Sequence, residues 1–236
     1  AKRYFQTATG LSSTNAKAFF ELALVVQEQK SHEQALDLFK QAVGIDPKNA
    51  QIHYHMGLSY MNTDMMVDAM DEFRQAIKLD GKHVDAMMEL GKLLAGRLQF
   101  PEAIRYYERV VRADPKRVEV WLALGDAYTA QSQNKKALAA YLKAYKKDKR
   151  LKGAAYRVGR AQDALGKKKM AVRFYSEAIR LAPEDPMPHF YLAYVHKAMY
   201  KTDRALAEFK AYLQLRPDAP DADEVRDEIY YLEQDR

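Results

Sequence analysis

The chain has 236 residues, 48% of them hydrophobic and 30% charged, with a formal net charge of +6, which is ample apolar content for a packed core. It contains no cysteine, which excludes disulfides, thiolate metal sites, a cysteine nucleophile and S-acylation of this segment. No run approaches the roughly 18 apolar residues a membrane-spanning helix needs.

Residues 1–15 read as a short lead-in, with Tyr4 and Phe5 followed by a Gly/Ser/Thr-rich approach. From Ala16 a 34-residue frame runs without insertion through six repeats, 16–49, 50–83, 84–117, 118–151, 152–185 and 186–219. Within each repeat the apolar residues recur at helical spacing in two stretches, predicting a pair of helices. The fourth repeat, Val118–Leu151, is the clearest copy, with Trp121, Leu124, Gly125, Tyr128, Ala137, Tyr141 and Ala144 in frame.

Repeat position 8 is always small, as Ala23, Gly57, Gly91, Gly125, Gly159 and Ala193, and position 20 is always Ala. In the tetratricopeptide arrangement, which this pattern resembles, these are where the two helices of a repeat approach most closely, and a larger side chain would push them apart. Position 24 is always aromatic, from Phe39 to Phe209, and is expected to fill the space between successive repeats. Position 32 is Pro in four repeats but Gly81 and Lys149 in the second and fourth. Lys149 gives no stop signal, predicting a looser junction or a longer helix there. Residues 220–236 open on Pro220-Asp221 and carry Val225, Ile229, Tyr230 and Leu232 among charges, as expected of a solvating helix over the last repeat.

This pattern resembles the tetratricopeptide (TPR) repeat, a 34-residue helix pair. The resemblance covers 16–219 and implies an all-α fold, a right-handed superhelical α-solenoid of six helix pairs in one continuous domain, closed by the 220–236 helix. The six-repeat array is also similar to bacterial TPR assembly scaffolds, pilus pilotin-like or magnetosome-associated, and the motif does not divide these subgroups.

No phosphate-binding loop, dinucleotide fingerprint or nucleophile elbow occurs, so no catalytic, metal or cofactor site is expected and the chain reads as non-enzymatic. His53 and His55 are two apart on a helix and point to different sides, which disfavours a shared metal, and His189 is expected to pack.

The family binds on the inner face lined by first helices. Position 5 there reads Phe20, Tyr54, Met88, Leu122, Tyr156 and Phe190, an apolar and aromatic stripe suited to an extended peptide or an amphipathic helix. Beside it stand Lys92, Asp126, Arg160 and Tyr194 at position 9, and Arg157 and Tyr191 at position 6. Arg157 and Arg160, three apart, can both face one ligand carboxylate, stand as an ordinary exposed pair, or bridge to Asp126. The Lys/Asn set of chaperone-binding TPR clamps is not reproduced, because Leu122 and Tyr54 occupy positions where Lys is needed.

Between Asn134 and Arg173 there are 14 basic residues against two acids, and Asp218–Arg236 holds eight acids against two Arg. Lys146, Lys147, Lys149, Arg150, Lys167, Lys168 and Lys169 form an expected basic surface, attractive to acidic protein or anionic lipid, with nucleic acid the weaker choice. The functional reading is a protein-interaction scaffold that takes a partner peptide or helix in its groove and assembles a larger complex. One alternative is a self-assembling coat or matrix, a homo-oligomer using the groove and the charge-complementary ends. Another is the targeting array of a longer enzyme. The chain opens on Ala1, so a leader, a lipid anchor or a further domain outside it is compatible with the sequence. Cytoplasmic or periplasmic placement, and attachment at a membrane through partners, are equally so.

Overall fold

A computed structural model describes residues 15–234, and the expected lead-in falls almost wholly outside them. The described residues form 13 helices and no strand. They are α1 (Ala16–Glu28), α2 (His32–Ile45), α3 (Ala50–Asn62), α4 (Met66–Leu79), α5 (Val84–Gly96), α6 (Phe100–Ala113) and α7 (Val118–Ala130). Then follow α8 (Asn134–Lys147), α9 (Ala154–Ala164), α10 (Lys168–Leu181), α11 (Pro186–Lys197), α12 (Thr202–Leu215) and α13 (Ala222–Gln234). The chain divides into two compact units, one ending at Pro115 and one beginning at Lys116. The first contains α1–α6 and the second α7–α13.

Each repeat is a helix hairpin closed in the same way. At position 15 the backbone is left-handed in all six: Lys30, Asp64, Leu98, Ser132, Gly166 and Tyr200 have φ between 56° and 72°. This turns the next N–H back onto the first helix, as in Ser31 N to Val26 O at 3.2 Å and Gln133 N to Tyr128 O at 2.9 Å. Such a six-to-one bond satisfies a helix-end carbonyl that would otherwise be orphaned. The second helix ends at Asp46, Asp80 and Asp148 in turns where the carboxylate accepts the N–H two residues on, at 3.4, 2.9 and 2.8 Å.

The fourth repeat decides between the two expectations for its end, a longer connection rather than a longer helix. Without its Pro, α8 still stops at Lys147, because Asp148 makes the same turn as Asp46 and Asp80. The change falls on the following helix instead. Gly153 adopts φ +76° and α9 starts only at Ala154, leaving 11 residues where the other first helices have 12 or 13.

The core lies between the two helices of each hairpin and between neighbouring hairpins of the same unit. All six position 20 alanines are fully buried, and so are the position 24 rings to within 3% exposure. The rings lie against position 8 of their own repeat. A Cβ on Gly57, Gly91, Gly125 or Gly159 would come within 2.8 Å of Phe73, Tyr107, Tyr141 or Tyr175 respectively. Position 24 thus fits its own hairpin as well as the space beyond it, and glycine at position 8 makes room for a ring face.

In the second unit, α13 lays Ala222, Val225 and Leu232 into a cluster with Leu206, Phe209 and Tyr212, with Ile229 at its margin. Ion pairs Lys197–Glu228 and Lys210–Glu233 and a bond from Tyr212 hydroxyl to Asp221 fasten it. Tyr230 departs from expectation: it is 61% exposed, beside Tyr231, on the outward face of α13. The four buried or half-buried apolar residues of α13 span one side of the helix, and Tyr230 falls on the other.

Candidate protein-binding face

In each unit the first helices of the repeats touch one another, α1 with α3 and α9 with α11, whereas no second helix has a comparable contact with the next. These first helices therefore share one side of their unit, the side on which the family resemblance places the binding face.

In the first unit, Phe20 packs edge-on to His55 and tilted on Phe39, at 5.6 and 6.0 Å between ring centres. Tyr54 contacts His55, Phe73 and His83 at 4.8 to 5.9 Å. Both remain half-buried, while Met88 is buried. Position 5 thus has two functions there, bracing the ring of its own hairpin and leaving an edge at the surface. Lys92 is exposed and pairs with Glu89 one turn back on α5 at 2.7 Å. His55 Nδ1 donates to Gln27 Oε1 at 3.0 Å, and burial holds its pKa down to about 4, so it is neutral at pH 7. His53 turns away to Glu72 at 2.6 Å. The two imidazoles thus have separate partners.

His53 and His189 share a repeat position, and each meets a glutamate 19 residues on, Glu72 and Glu208, at 2.6 Å. The expected packing of His189 therefore includes a hydrogen-bond partner, at 14% side-chain exposure. Among the described residues no group of three His, Cys, Asp or Glu is arranged to hold a metal ion.

In the second unit the face is richer. Arg157 Nε donates to both oxygens of Asp126, at 2.8 and 3.2 Å, and Tyr141 hydroxyl donates to the same carboxylate at 2.7 Å. Thr129 bonds that hydroxyl at 3.0 Å. Burial, reinforced by the Asp126 charge, pushes the Tyr141 phenol well above its ordinary pKa, keeping it a proton donor. Asp126 is thus an internal counter-charge for Arg157. Of the three readings of the Arg157/Arg160 pair, the bridge to Asp126 is the one realised for Arg157.

Arg160 goes elsewhere. Its guanidinium sits over the Tyr191 ring at 5.0 Å and interacts with the Tyr156 hydroxyl. Among the described residues it has no carboxylate partner within ion-pair distance and remains exposed. Tyr156 and Tyr191 are 5.6 Å apart, and Phe190 contacts Tyr191, Tyr194 and Tyr212 at 5.0 to 5.2 Å. Tyr156, Phe190, Tyr191, Tyr194 and Leu122 are all half-buried. The result is an aromatic floor carrying one exposed cation.

Tyr141, Thr129 and Tyr175 belong to this site and were not among its sequence candidates. The available signal is Tyr rather than Phe at position 24 of repeats three to five, since a buried hydroxyl needs a partner. Tyr175 is fully buried and its hydroxyl has no partner; the fifth repeat carries Arg160 at the position where the fourth has Asp126.

The basic block is divided by the hairpins. Lys146, Lys147, Lys149 and Arg150 lie at the end of α8, whereas Lys167, Lys168 and Lys169 lie at the start of α10. Neighbouring helices joined by short turns run antiparallel, so the two groups occupy opposite ends of the hairpins, about 20 Å apart along a 14-residue helix.

TPR family profiles match residues 28–64, 50–83, 89–152 and 153–185. Together with the helix pairs and their fixed register, these matches make the chain a member of the tetratricopeptide-repeat family, an all-α solenoid of the kind that serves as a protein-interaction scaffold. Family members of this type are generally non-catalytic. YrrB, a TPR protein described as having an unusual peptide-binding site, is 21% identical with a TM-score of 0.74, covering 80% of this chain and 97% of its own. PilF of Pseudomonas aeruginosa is 18% identical with a TM-score of 0.71, covering 90% and 97%. MamA of Desulfovibrio magneticus RS-1 is 24% identical with a TM-score of 0.66, covering 72% and 96%. At these identities the likeness is one of fold. No curated protein matches the chain.

Proposed function

We propose that the protein is a scaffold whose second unit captures a partner's extended segment or amphipathic helix on the face of α7, α9 and α11. Arg160 carries this reading, as an exposed cation braced on Tyr191 and surrounded by half-buried aromatic rings. Such a surface supplies large contact area at low entropic cost and selects a segment with an acidic residue next to apolar ones. Asp126, by neutralising Arg157, confines the unpaired charge to one point. In the first unit, Phe20 and Tyr54 offer a smaller apolar strip, and Lys92, already paired, contributes at its edge.

The test is affinity for a partner isolated from native extract. Arg160→Glu and Tyr156→Ala, each folded by circular dichroism, are expected to weaken binding by on the order of tenfold or more. Unchanged affinity in both would refute the assignment of this face.

A further inference from the structure

In the first unit, each second helix begins with an acid in its first turn: Glu33 in α2, Asp68 in α4 and Glu102 in α6. That is the stabilising arrangement, because the helix N-terminus carries partial positive charge. In the second unit α8 and α10 have no acid there. They carry Lys135 and Lys136, and Lys168 and Lys169, with Lys167 as the cap of α10. Lysines there oppose the helix dipole and repel each other, so they weaken the fold that holds them. The same hairpin turns lie side by side along one edge of the unit, since each first helix runs toward it and each second helix away. Lys201 and Arg204 extend the row at α12, against Asp163, Asp203 and Glu228 of α13, which pairs with Lys197 at the end of α11. At the other edge the basic residues face the acids of the α10–α11 turn and of the first turn of α13, Asp223 and Glu224.

Two apolar features lie on the same edge. Tyr200, in the left-handed turn before α12, is 95% exposed, and Met170, in the first turn of α10, is 37% exposed. A row of lysines along one edge, with Lys136 resting over the Tyr128 ring, Lys168 half-buried and the Tyr200 ring projecting, suits a surface that is anionic outside and apolar just below. Three helix N-termini pointing at the same plane add to its attraction for phosphate.

We infer that this edge of the second unit docks on an anionic lipid bilayer, with the lysines of α8 and α10 at the headgroups and Tyr200 in the interface. The edge lies at the ends of the helices, away from their inner face, so a partner can be held while the membrane is bound. Nucleic acid would use the same charges but gives Tyr200 no apolar layer to enter.

The experiment is co-sedimentation of the full chain with phosphatidylcholine vesicles containing or lacking phosphatidylserine. Binding is expected only with phosphatidylserine and is expected to fall as salt rises. Replacing Lys135, Lys136, Lys168 and Lys169 with Gln should weaken it by about fivefold per charge, while the melting temperature holds or rises as the dipole conflict is removed. Tyr200→Ser should weaken binding severalfold and leave its salt dependence unchanged. A control with Lys146, Lys147, Lys149 and Arg150 replaced by Gln removes equal charge at the other edge and should bind nearly as wild type. Equal loss in that control, no binding at low salt, or displacement of the vesicles by single-stranded RNA at lower phosphate concentration would each overturn the inference.

Discussion

Tyr141 lies against Gly125 so closely that a methyl group on the glycine would stand 2.3 Å from ring carbon Cε1. The ring is 3% exposed and its hydroxyl is held by Asp126 and Thr129, so it cannot swing aside. The glycine, the ring and the polar network on the inner face thus form one assembly. What keeps the hairpin closed also aims Asp126 at Arg157.

Gly125→Ala is therefore expected to destabilise the protein by about 1–3 kcal/mol, as over-packing of a filled core does. Gly44, in α2, has nothing within 4 Å of an added Cβ. There Ala should stabilise by about 0.5–1 kcal/mol, through helix propensity alone. Urea unfolding of both variants checks the contrast, and an equal response would contradict the close contact.

The left-handed turns give a second expectation. Leu98 has φ 61° and is 73% exposed, so its side chain gains little from packing to offset the strain. Leu98→Gly should be neutral to stabilising, by up to about 1 kcal/mol, since relief of strain exceeds the added freedom of the unfolded chain. Gly166→Ala, at φ 72°, should lose about the same amount. Thermal melts of the pair decide this.

The histidines of α3 predict opposite pH responses. The hydrogen bond to Glu72 raises the His53 pKa, so the folded state binds its proton more tightly than the unfolded chain. Its stabilisation is fully present below about pH 6.5 and is lost as pH rises through the folded value. His55, with its pKa near 4, is held neutral, and its contribution is lost as pH falls from about 6.5 toward 4. Glu72→Gln should cost stability at pH 6 and little at pH 9, and His55→Gln should flatten the loss on the acid side. Histidine NMR titration supplies the two pKa values directly. A His53 value at or below that of an unfolded histidine would contradict the first assignment.

Position 8 glycines and position 24 rings were readable because each needs a particular residue type, and tight packing leaves few substitutes. The turn at position 15 was not, because Lys30, Asp64, Leu98, Ser132 and Tyr200 occupy a conformation usually marked by glycine. Backbone strain of this kind is compensated by the whole hairpin and leaves no local trace. Arg157 and Arg160 looked equivalent from spacing. They separate only because Asp126 and Tyr191 come from neighbouring repeats. The basic block also looked single, and hairpin folding assigned its halves to opposite ends. Reading charge against helix starts, Lys168 against Glu102, would have separated them.

The central claim is that the inner face of the second unit receives the partner. Its most direct test is photo-crosslinking in native extract with a benzophenone side chain at Tyr191 or Tyr194, which keeps an aromatic ring in each place, and at Lys210 on α12 as a comparison. The account predicts one discrete adduct from both inner sites, lost when Arg160 is changed to Glu, and none from Lys210. Equal labelling from all three sites, insensitive to Arg160, would contradict it.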